Sequence, residues 1–68
     1  MKMEWVRVFP GGEVIDGPLV MDEAVALTEN KNLSGRGLSA RWEEYSEARH
    51  GSREALASHL RELDQMSV

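Results

Sequence analysis

"EWVRVFPGGEVIDGPLV", residues 4–20, decides the fold. Its two arms are rich in β-branched and aromatic residues, alternate in polarity as strands do, and meet at Pro10-Gly11-Gly12. Glycine tolerates the positive φ of tight turns, so Gly11-Gly12 reads as a two-residue hairpin turn. That turn pairs Phe9 with Val14, Val8 with Ile15, Arg7 with Asp16 and Val6 with Gly17. The Arg7–Asp16 match is a cross-strand ion pair, and a slip of one residue would lose it and exchange the faces. Gly17-Pro18 ends or bends the second arm, because proline has no N–H for the ladder. A hairpin is expected over 3–20.

The first arm is apolar on both faces. Val6, Val8 and Ile15 share one; Met3, Trp5, Phe9 and Val14 share the other. At 68 residues the chain is a single small domain near the lower limit for a self-sufficient core. It has no cysteine, so no disulfide or thiolate metal site reinforces it, and a reducing, cytoplasmic setting is expected. The stretch "MKMEWVRVFPGG" carries no apolar run long enough for a signal peptide, and nothing later approaches a membrane span.

Outward from the hairpin, "MDEAVALTENKN" predicts a first helix near 22–31, capped by Asp22 with Glu23 at the positive end of its dipole. "NLSGRG" is a loop by its glycines and serine. In "LSARWEEYSEAR", Leu38, Trp42 and Tyr45 fall on one helical face, which predicts a second helix over 39–49. Leu38, Ala40 and Trp42 also alternate as the start of a third strand, a pattern that fails at Glu44. Gly51 and Ser52 break and re-cap the chain, and Leu56, Leu60 and Leu63 line one face of a third helix over 53–65. The fold class expected is α+β: an N-terminal hairpin, with a third strand as an option, packed against two or three short helices.

The residues for catalysis are not assembled. His50 and His59 are nine apart and match no metal-ligand spacing, and adjacent Glu43 and Glu44 point about 100° apart on a helix. Gly35-Arg36-Gly37 completes neither a dinucleotide nor a P-loop fingerprint. No enzyme, cofactor or metal is expected. The formal net charge of −4 disfavours nonspecific nucleic-acid binding, which rests on many phosphate contacts. A helix-turn-helix around Gly51 would place Glu47 at the helix–helix contact, where a carboxylate is costly.

A few short helices cover one sheet face readily, so one apolar face or the hairpin's free edge is left for a partner. Aromatic residues beside arginine have the composition of interface hot spots. The partner-binding residues expected are Trp5, Val6, Arg7, Val8 and Phe9, with Arg49 and Arg53 as a secondary basic pair. The function expected is a small non-catalytic protein-binding module, an inhibitor or adaptor, meeting another protein or a second copy of itself. A dimeric nucleic-acid-binding regulator using the C-terminal helices is the alternative, and no membrane partner is expected.

Overall fold

The computed structural model describes residues 1–66. The chain runs β1 (Lys2–Val8), β2 (Val14–Asp22), α1 (Glu23–Gly35), β3 (Arg41–Glu44), α2 (Glu47–His50) and α3 (Arg53–Met66). The strands form one antiparallel sheet in the order β2-β1-β3, so the fold is α+β with β1 at its centre.

The central position explains why β1 is apolar on both sides. Val6, Val8 and Val14 pack beneath Leu56 of α3, with Tyr45 and Leu60 at the margin. Trp5 and Trp42 pack beneath Ala26 of α1, with Met3, Met21 and Leu33 around them. Each face of this sheet has its own helix. The expectation that one face stays open is corrected: α1 follows β2 directly and α3 returns at the chain's end, so two helices suffice for two faces.

The hairpin turn also differs from expectation. The Gly12 N–H donates to the Phe9 carbonyl at 2.8 Å, and the Phe9 N–H donates to the Glu13 carbonyl at 2.9 Å. The loop is therefore Pro10-Gly11-Gly12, with Gly12 at φ 85°. Proline's fixed φ suits the first turn position, and glycine supplies the left-handed residue that completes a three-residue hairpin. Val8 consequently opposes Val14, and a register shift at Ile15, the extra residue on β2, brings Arg7 opposite Asp16 as expected.

Further along, Trp5 opposes Leu19, so Val6 alone spans Gly17 and Pro18, the pair joined by a cis peptide bond. This is a bulge. Gly17 sits at φ 111°, and a Cβ there would lie 2.7 Å from the Trp5 carbonyl oxygen. Only glycine fits that close approach. The strand bends here and continues to Asp22.

The helix expected over 39–49 is replaced by β3 and the single turn α2. Strand pairing is the better outcome for Trp42, which is 5% exposed opposite Arg7 and packed into the Trp5 cluster. α1 runs on to Gly35 beyond the expected 22–31, because Leu33 still has the tryptophan cluster to pack against. Asp22 forms no side-chain cap; its carboxylate lies 3.5 Å from the N-terminal ammonium. In α3 Leu56 is buried, but Leu60 and Leu63 are only half-buried, since the valine patch beneath is small.

Candidate functional site

The residues expected to meet a partner do not form one surface. Trp5, Val6 and Val8 are buried under the chain's own helices, and the Trp5 indole N–H donates to the Met21 carbonyl at 3.1 Å. Arg7 is half-buried, its guanidinium 5.6 Å above the Trp42 ring and 3.8 Å from the Asp16 carboxylate. Phe9 is exposed at the turn. Arg49 donates to Glu43 at 3.0 Å, and Arg53 pairs with Glu4. These two arginines are exposed, on α2 and at the start of α3. Hairpin aromatics and basic pair are separate features.

Glu43 anchors a local charge chain. Its carboxylate accepts from Arg41 at 3.1 Å and from Arg49 at 3.0 Å. Burial pushes this carboxyl upward, but hydrogen bonds and charge from the two arginines outweigh it and hold it below the ordinary glutamate value. On the neighbouring turn the Tyr45 and His50 rings stack at 5.9 Å, and the Tyr45 hydroxyl donates to the Gly51 carbonyl at 2.7 Å. Burial, followed by the nearby charge of Glu47, pushes the Tyr45 phenol upward. Among the described residues, no three histidine, aspartate or glutamate side chains are grouped to hold a metal ion.

The two sheet edges differ most. On β3, the Asn30 side chain reaches from α1 and imitates a neighbouring strand. Its Nδ2 donates to the Trp42 carbonyl at 2.9 Å, and its Oδ1 accepts the Trp42 N–H at 2.5 Å. The Trp42 indole N–H donates to Glu29 at 2.7 Å, which fastens the strand to α1 again. On β2, no described strand pairs with the outer side. Leu19 and Val20 are 44% and 64% exposed there. A shallow groove of about 440 Å³ runs between this strand and α3, lined by Ile15, Asp16, Leu60, Arg61, Leu63 and Asp64.

Sequence reasoning missed Leu19, Val20 and Asn30. An arm apolar on both faces belongs in the middle of a sheet, which makes its hairpin partner an edge strand. That signal was available for Leu19 and Val20. Nothing in the spacing marks Asn30, whose role depends on where β3 lands.

No known protein family, curated protein or solved structure matches the chain. No helix among the described residues is long and apolar enough to cross a membrane.

Proposed function

We propose that this chain is a non-catalytic protein-binding module that takes an extended segment of its partner as a further strand on β2. The observation that supports this is the asymmetry of the sheet edges. β3 is closed by Asn30, whereas β2 offers its outer backbone beside exposed Leu19 and Val20. Strand addition draws affinity from main-chain hydrogen bonds and specificity from alternate side chains. A segment laid along β2 would set alternate side chains against Leu19 on one face and toward Ile15, Leu60 and Leu63 on the other. Pro18 has no N–H, so the bulge divides the docking edge and selects against long, regular strands.

Such a module acts as an inhibitor or adaptor by holding a segment its partner needs elsewhere; a second copy of the chain is one form of that partner. The nucleic-acid alternative is less well supported. Arg41 and Arg49 lie against Glu43, Arg53 against Glu4 and Arg7 against Asp16, so four of the chain's eight lysines and arginines already face a carboxylate, in a chain of formal charge −4. We place the module in the cytoplasm on its lack of cysteine.

The test is Val20→Lys, because lysine on an edge strand is a common device against edge pairing. With the fold intact by circular dichroism, the variant is expected to lose self-association in sedimentation and to lose proteins that the wild type retains from lysate. If both properties are unchanged, β2 is not the binding edge.

A further inference from the structure

A different surface carries an inference that does not rest on the strand-addition reading. At the turn end of the sheet an open trough of about 360 Å³ lies between the hairpin loop and α3. Its floor includes Val14 and Leu56, and Arg49, His50 and His59 stand around it with Glu13 as the one carboxylate. Two histidines that are nine apart in sequence are thus brought to one groove by the Gly51 turn.

The lining here is balanced in formal charge, Arg49 against Glu13 with two histidines beside them, within an acidic molecule. The chain carries a formal −4, yet Arg41 and Arg49 share the single carboxylate of Glu43. One guanidinium nitrogen of Arg49 is committed to Glu43, at 3.0 Å, and the group has further N–H donors. The imidazole of His50 is oriented by its own turn, with Nδ1 3.1 Å from the Ser46 nitrogen and its ring stacked on Tyr45. That leaves Nε2 as the ring nitrogen for an outside partner. Arginine and histidine donors above an apolar floor suit a carboxylate carried next to an apolar group. The trough is open along its length, so a small molecule would bury too little of itself there; a peptide spans it.

We propose that this trough binds an acidic peptide segment, with a glutamate or aspartate carboxylate on Arg49 and the histidines and a neighbouring apolar side chain on Val14 and Leu56. The probe is a short acetylated and amidated peptide alternating glutamate with leucine, and its control replaces every glutamate by glutamine. In two-dimensional NMR of the isotope-labelled full chain, the acidic peptide shifts the amides of Gly12–Val14, Arg49, His50 and Ala55–His59 and saturates. The glutamine peptide does not. Arg49→Gln weakens the acidic peptide by about tenfold or more, as expected for a charged hydrogen bond. His59→Gln, on an exposed helical position, weakens it less and leaves the fold unchanged. Three results overturn the proposal: equal shifts from both peptides, shifts centred on Leu19–Met21 instead, or an Arg49→Gln variant that stays folded and binds as tightly as the wild type. Tighter, steeply salt-dependent binding of a single-stranded oligonucleotide at the same amides also overturns it, because the site would then read phosphate.

Discussion

The outer strands β2 and β3 flank the same central strand, yet they are finished in opposite ways. β3 is four residues long, and its Trp42 backbone is satisfied on the outer side by a side-chain amide. β2 is nine residues long, is interrupted by two register shifts, and leaves Leu19 and Val20 in solvent. A chain this small could leave both edges ragged; it closes one with a specific residue. The difference shows that edge protection is a local property, set by which helix passes nearby. α1 lies alongside β3 and lends Asn30, and no described element does the same for β2.

The strongest way to break the comparison is to remove what shapes the open edge. Gly17→Ala places a Cβ 2.7 Å from a backbone oxygen at a φ of 111°. The backbone strain alone is about 1–3 kcal/mol, and the clash with an atom that cannot swing away adds to it. Urea denaturation is expected to show a large loss for the addition of a single methyl group. Gly11→Ala, where the added Cβ meets nothing within 4 Å, is the matched control and should change little.

Next in size is the closed edge. Asn30→Ala removes both hydrogen bonds to the Trp42 backbone. Leaving those groups without their partner is expected to cost about 1–3 kcal/mol, less if water reaches them. The same variant opens β3, so sedimentation should show new self-association if edge protection is what Asn30 contributes. A stability loss without new association would confine its role to tying α1 to the sheet.

A third contrast separates the two ends of the α3 contact. Leu56→Ala empties a buried site and is expected to cost about 2–5 kcal/mol, as for other buried leucines. Leu60→Ala, at a half-buried position beside the groove, is expected to cost less than half as much in the same denaturant titration. Equal losses would mean that the groove is part of the core.

Much of this architecture is legible in the residues, and the part that is not has a physical cause. The hairpin, the Arg7–Asp16 pairing and α3 follow from local alternation, charge matching and helical spacing. β3 does not, because Leu38, Trp42 and Tyr45 have helical spacing too. The choice is made by the open side of β1 and by Asn30, both distant in sequence. The turn takes three residues rather than Gly11-Gly12 alone, because the fixed φ of Pro10 suits the first turn position. The residues expected to form a partner surface are divided for a related reason. Trp5, Val6 and Val8 look like an uncovered arm until the two helices are placed on opposite faces. The β2 edge follows from β1 being central, which the apolar residues on both faces of β1 signal.

The smallest expected effect concerns charge at the closed side. Glu43 lies on β3 and is held below the ordinary glutamate value of 4.5, because Arg41 and Arg49 together outweigh the opposing effect of burial. A carboxyl whose folded value is depressed contributes stability that is complete above the unfolded value and is lost as pH falls through the folded one. Wild-type stability should therefore decline on acidification from about pH 5 downward, with Glu43 one contributor among several. Glu43→Gln keeps the shape and one acceptor but cannot titrate, so its decline over that window should be shallower. Both arginines are 69% exposed, so the difference is expected to stay below about 1 kcal/mol, in the range of solvent-screened pairs. Thermal melts of the two proteins at stepped pH measure it, repeated at high salt to remove the screened part. Parallel curves at low salt would mean that the two arginines do not favour the charged carboxylate. β3 would then owe its place to its pairing with β1, to Asn30 and to the burial of Trp42, with nothing added by charge.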